Sequence, residues 1–202
     1  MRTSKDTKAA ALADICKLPT FPPFATIKCR GPRIFRSQTA RDVGCLLDAN
    51  LSVTHWTCAP RLSNDPAVYV PDFNVRNEDG SSCLLDAPDI DHSPDRAFLD
   101  AAAAAGHAYR QVTRDEIYSG YRLRNVRDLL KYGDQHASLG DRVRLLGALD
   151  EHGSLTFGEC LNAIQECRPI AGLASLILNG FVEVDLDDAL IGPETMVRRI
   201  GM

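Results

Sequence analysis

No apolar run in the 202 residues approaches the roughly 20 needed to cross a bilayer, and the opening Met1-Arg-Thr-Ser-Lys-Asp6 lacks the apolar stretch of a secretory signal. These absences argue against a membrane-spanning helix or a membrane partner and lead us to expect a soluble, cytoplasmic protein. A Cys-x-x-Cys pair is missing too. The seven cysteines, at 16, 29, 45, 58, 83, 160 and 167, form an odd, scattered set that suits free thiols in a reducing compartment. His55-x-x-Cys58 is the one metal-like spacing, and a single pair does not fill a tetrahedral zinc site, so both are read as ordinary strand residues.

What is present is a skewed distribution of charge. Residues 1–41 carry nine Lys or Arg against two Asp, which leaves 14 basic and 25 acidic residues for the remainder. A basic arm therefore precedes an acidic body, and such an arm can neutralise phosphates in salt-sensitive nucleic-acid binding. With 45% apolar residues the chain can bury a core, and its length suits one ordinary domain and a smaller second one.

Along the chain, residues 1–30 hold Pro19, Pro22 and Pro23 and no sustained period, and read as a basic flexible arm with organised structure beginning near Arg33. Thr39-Ala-Arg-Asp42 reads as a capping box, with Val43, Leu46 and Leu47 at helical spacing behind it. Strands are expected at 52–58, 67–75 and 82–85, the last two joined through Glu78-Asp79-Gly80, with Pro71 forcing a bulge or an edge. A helix from Pro94-Asp95 to Gly106, a strand at 108–112 and two helices from Thr113 to Tyr132 follow. After Gly133 the pattern becomes helix, short strand Ser154–Phe157, helices 159–166 and 170–178, and a hairpin from Phe181, the order of a small winged helix. The expected fold is α/β: a mixed β-sheet flanked by helices over 31–135, then a winged-helix-like domain over 136–202.

Several segments, in this order and spacing, resemble TnsA, the endonuclease subunit of heteromeric bacterial transposases. They are Ser37-x-x-x-Arg41-Asp42, Val70-Pro-Asp-Phe-Asn-Val75, Gly106-His-Ala-Tyr-Arg-Gln-Val-Thr-Arg-Asp-Glu-Ile117, Leu123-Arg-Asn125, Gly153-Ser-Leu-Thr-Phe157 and Leu176-Ile-Leu-Asn-Gly-Phe181. The likeness runs from about Arg33 to Val197. It implies that the domain over 31–135 is a restriction-endonuclease-like PD-(D/E)xK core, in which a helix glutamate, the aspartate of a Pro-Asp strand and an acid-x-Lys pair hold Mg²⁺ and orient water for phosphodiester hydrolysis.

Against that pattern only the aspartate, Asp72, is in place. Arg36 and Ala40 stand where the family has its helix glutamate, and Leu85-Asp86-Ala87-Pro88 stands where it reads acid-x-Lys-Pro, so the lysine position is Ala87. Asp86 or Asp89 is the alternative acid, but a slip of one residue would turn it to the opposite face. No lysine follows within reach, and nothing about the helix carrying Lys131 recommends it as a substitute. The expectation is no catalytic residue beyond the remnant Asp72, with Asp86 as an alternative remnant, and no cofactor; Mg²⁺ enters only if the chain is an active endonuclease subunit that cuts beside a partner.

Arg33, Arg36, Arg41, Arg122, Arg124 and Arg127 are the candidate nucleic-acid contacts, across the arm and the old nuclease cleft. Between Leu145 and Val197 one basic residue, Arg168, faces nine acids, and the would-be reading helix Ile170–Asn179 is mostly apolar. That domain is expected to dock a protein rather than read DNA. The leading reading is a catalytically inactive, DNA-associated accessory or regulatory protein, in transcription or recombination; the others are the active subunit and a protein-interaction decoy or inhibitor.

Overall fold

The computed structural model describes residues 21, 25–60, 69–89 and 94–201. The greater part of the expected arm lies outside the described residues. Two compact units are formed, the first by Lys28–Gly44 and Ser52–Thr113, the second by Phe24–Ile27, Cys45–Leu51 and Arg114–Met202.

Helix α1 (Gln38–Ala49), which the first unit includes as far as Gly44, opens two residues earlier than the Thr39 box suggests, because Ser37 Oγ accepts the Ala40 amide at 2.9 Å. Asp42, no longer a capping residue, accepts from Gln38 Nε2 at 3.0 Å. Gly44 allows an aromatic cluster to close on the helix, since a Cβ there would meet Phe35 Cε1 at 2.8 Å.

Strands β1 (Val53–Cys58), β2 (Phe73–Asn77), β3 (Ser82–Asp86) and β4 (His107–Gln111) form one mixed sheet in the order β1-β2-β3-β4, antiparallel except for the parallel β3–β4 pair. The β2–β3 hairpin closes through Gly80 at φ +81°, a left-handed conformation that glycine adopts without steric cost. The parallel pair needs a crossover, supplied by helix α2 (Arg96–Ala104), whose N-cap Asp95 accepts the Phe98 amide at 2.8 Å. Alternation sends Trp56, Phe73 and Val75 to one face of the sheet, where Trp56 meets Phe73 edge-on at 5.5 Å and Phe35 packs on both. Leu84 and Tyr109 face the other way, under Phe98 and Ala102 of α2. The first unit is thus α/β, a mixed four-stranded sheet flanked by helices.

Two expectations shift here. Of the strand read from Ala67, residues 67–68 lie outside the described residues, and among the described ones it begins at Phe73, after Pro71, which cannot donate to a ladder. Order also begins before Arg33: Trp56 donates to Lys28 O at 3.2 Å and accepts from Arg30 N at 2.8 Å, so residues 28–30 satisfy polar groups along the edge of β1.

The second unit comprises α3 (Arg114–Tyr118), α4 (Arg122–Leu130), α5 (Leu139–His152), β5 (Ser154–Thr156), α6 (Phe157–Ala163), α7 (Pro169–Leu178), β6 (Val182–Val184) and β7 (Met196–Arg199). Its strands form an antiparallel sheet in the order β5-β7-β6. Helices α3 and α4 belong here and not with residues 31–113, as the division at 135/136 had it. The reason is Asn125, buried on α4, which donates to Leu186 O at 2.9 Å and Ala189 O at 2.7 Å and accepts from Ile191 N at 3.0 Å. Thr156 and Glu159 make a reciprocal capping box that starts α6 and ends β5 one residue short of Phe157. No described helix is long and apolar enough to cross a membrane.

Candidate functional site

The site grows from the pairing of β2 with β3. Phe73 lies opposite Leu85, so the preceding residue, Asp72, comes opposite Asp86 at the sheet's end. The two carboxylates then clamp each other's backbone. Asp86 Oδ1 accepts the Asp72 amide at 2.7 Å, and Asp72 Oδ2 accepts the Ala87 amide at 2.9 Å. Asp72 is 4% exposed and Asp86 0%, so neither charge is solvated and each needs a partner.

Arg36, just ahead of α1, supplies the counter-charge. Its Nε donates to Asp72 Oδ1 at 2.7 Å, its Nη2 lies 3.5 Å from Asp86 Oδ1, and its Nη1 donates to Val70 O at 2.9 Å. On the far side, Tyr69 and Tyr109 donate their phenols to Asp86 Oδ2 at 2.5 Å and 2.9 Å. Burial pushes the Asp72 carboxyl above its ordinary value despite the opposing pull of Arg36. Burial, followed by the bond to Asp86, pushes the Tyr109 phenol up to about 12 and raises that of Tyr69 as well.

This geometry corrects the sequence reading of the hairpin. Asp86, and not Leu85, faces Asp72; Leu85 lies opposite Phe73, in the apolar core. If Asp86 is the acid, the residue two positions on is Pro88 rather than Ala87, which has no side-chain nitrogen to stand in for lysine. No slip of register was needed to bring Asp86 in. Of the two helix candidates, Arg36 reaches the carboxylates while Ala40 is buried in the core.

The other predicted contacts are dispersed. Arg33 is exposed, and Arg41 donates to Gln38 Oε1 at 2.5 Å on its own helix. Arg122, Arg124 and Arg127 lie on α4 of the second unit, where Arg122 is held bidentately by Asp187 at 2.7 Å and 2.5 Å. Lys131 pairs with Asp128 at 2.6 Å in that same unit. Tyr69, Tyr109 and the Val70 carbonyl were missed. Only the parallel β3–β4 pairing, which sets Leu84 beside Tyr109, brings that phenol near Asp86.

A divalent ion fits these residues poorly as they stand. The two carboxylates converge, but Arg36 lies against both, and their oxygens are already bonded to two backbone amides and two phenols. No third carboxylate joins them among the described residues. His55 and Cys58, the other metal-like pair, fall on opposite faces of β1 because they stand three positions apart on a strand whose side chains alternate.

In the second unit, α7 is buried continuously from Ala171 to Leu178, and α4 packs against it. A helix so enclosed offers no row of side chains to a DNA groove. Its connection to α5 is organised by Asp141, fully buried, which accepts from Gln165 N at 2.7 Å and Glu166 N at 3.0 Å and pairs with Arg144. No family model and no curated protein matches this sequence.

Proposed function

We propose that this chain is a non-cutting, DNA-associated accessory or regulatory protein, built on a restriction-endonuclease-like core followed by a winged helix and related to transposase endonucleases of the TnsA kind. The observation that carries the reading is the Arg36 guanidinium set against Asp72 and Asp86. A fixed side-chain cation there neutralises the carboxylates that a nuclease keeps for Mg²⁺, and it delivers neither a Lewis acid nor an activated water. Arginine stays protonated, so a rise in pH does not release it.

DNA association rests on the cationic residues of the first unit and on the basic character of residues 1–41. The acidic second unit, with its enclosed α7, suits contact with a protein partner. The two facing carboxylates favour one competing reading, in which a partner draws Arg36 away and an endonuclease site forms. Both are tested together by incubating the full-length protein with supercoiled plasmid in Mg²⁺ or Mn²⁺ and measuring retention of a labelled duplex at low salt. Retention without nicking is expected. Nicking that Asp72→Ala abolishes would establish the endonuclease, and no retention at low salt would defeat the DNA reading.

A further inference from the structure

A polar row crosses the four-stranded sheet. Strand register sets His55 beside Arg76, Arg76 beside Ser82 and Ser82 beside His107, one residue from each strand. Residues directly opposed across a ladder project to the same face, so the four side chains form one line. Three inter-strand steps make that line about 14 Å long, enough to meet more than one phosphate.

The backbone is shaped for it. The β1–β2 register shifts between Val53 and His55, so Val53 and Trp56 both enter the core, three residues apart, while Thr54 and His55 turn outward between them. Arg30 flanks the line through its amide bond to Trp56 O at 2.8 Å. Arg76, exposed, is steadied by a bond from Nη1 to Gly80 O at 3.2 Å. Ser82 Oγ lies 2.7 Å from His107 Nδ1, so Nε2 is the ring nitrogen not engaged by that contact.

The electrostatics match an anion. After burial, the charges that lower the His55 pKa are those of Arg30 and Arg76, so the imidazole stands between two cations. His55 Nδ1 is buried without a hydrogen-bond partner. Of the two acids in the adjoining turn, Asp79 is folded back onto the Ser81 amide at 2.8 Å, and Glu78 is exposed beside it.

We propose that Arg30, His55, Arg76 and His107 form a phosphate track for duplex DNA across this face of the sheet. The inference rests on the DNA reading above and moves the principal contacts from the arginines of α1 and α4 to the sheet. The guanidiniums of Arg30 and Arg76, on either side of His55, give a phosphodiester charge-assisted bonds.

The test uses the full-length protein and a short labelled duplex, with affinity measured from about 50 to 200 mM salt. Each phosphate left without its cation should reduce the slope of log affinity against log salt by about 0.9, so Arg30→Gln/Arg76→Gln together should remove about 1.8. Arg76→Lys keeps the charge and should keep the slope, with circular dichroism confirming that each variant is folded. A folded double variant with the wild-type slope overturns the track and leaves DNA association standing. Wild-type protein that fails to bind overturns both, and preference for an acidic protein or single-stranded RNA over the duplex overturns the assignment of the occupant.

Discussion

Nε of Arg36 lies 2.7 Å from Oδ1 of Asp72, and that contact decides what the carboxylate pair can do. With the guanidinium in place the cluster is an internal ion pair. Without it, two buried acids would face each other across the end of the hairpin.

Arg36→Met should therefore destabilise the protein strongly. Removing one partner of a buried pair costs about 3–5 kcal/mol, and because the Arg36 side chain is 28% exposed, the lower end, about 3 kcal/mol, is expected. Urea denaturation measures it, and a loss below about 1 kcal/mol would mean that Arg36 is not the required counter-charge.

The same substitution should move a titration. Burial already holds the Asp72 carboxyl above its ordinary 3.8 while Arg36 pulls it down, so Arg36→Met should raise it further. A raised carboxyl pKa contributes stability that is complete below 3.8 and lost as pH rises through the folded value, and in the variant that loss should extend to higher pH. Carboxyl carbon shifts followed by NMR report Asp72 directly; an unchanged titration would remove Arg36 from its electrostatics.

Arg36→Glu should convert the cluster from ion pair to metal site. Three carboxylates would then converge, and terbium luminescence or calorimetry with Mn²⁺ should detect stronger divalent binding by the variant than by the wild type. Cleavage should still be absent, because Pro88 stands where an acid-x-Lys pair anchored at Asp86 would place its lysine. Equal metal binding by wild type and variant would show that Arg36 does not exclude the ion.

Asp141→Asn should weaken the second unit, by about 3 kcal/mol in thermal or chemical denaturation, since it removes a buried charge from two backbone amides and Arg144. Burial raises the Asp141 carboxyl pKa, but those bonds outweigh it and hold the group well below the usual range. Its stabilisation is therefore present above 3.8 and lost as pH falls, so the variant should show a flatter acid limb. An unchanged acid limb would rule the residue out as its source.

Asn125→Ala should loosen the chain from Leu186 to Ile191, which loses three hydrogen bonds to one side chain. Faster amide exchange over that stretch, with a loss of about 2–3 kcal/mol, is the expected signature. Unaltered protection there would mean that α4 is attached by other contacts.

Much of the secondary structure was legible in the sequence. Asp95 before Phe98, Gly80 in its turn, and the apolar periods of α1, α5 and α7 each act within a few residues, where propensity and capping decide. Less of the site was legible. Arg36 was recognised as a departure from an acidic position, yet its sequence gives no sign that its guanidinium reaches residues 36 and 50 positions further on. Asp86 was kept only as an alternative acid because a one-residue difference in strand register reverses a side chain, and alternation alone could not tell whether Leu85 or Asp86 faced Asp72.

By itself the sequence determined the order of elements, the lack of a lysine after the hairpin and the uneven spread of charge. Tertiary structure decided which residues meet: the opposed Asp72 and Asp86, the phenols of Tyr69 and Tyr109, the reassignment of α4 through Asn125 and the row from His55 to His107. Local preference operates over a turn or a strand, whereas these contacts depend on strand register and on hydrogen bonds between residues up to 66 positions apart. Only the folded chain sets those.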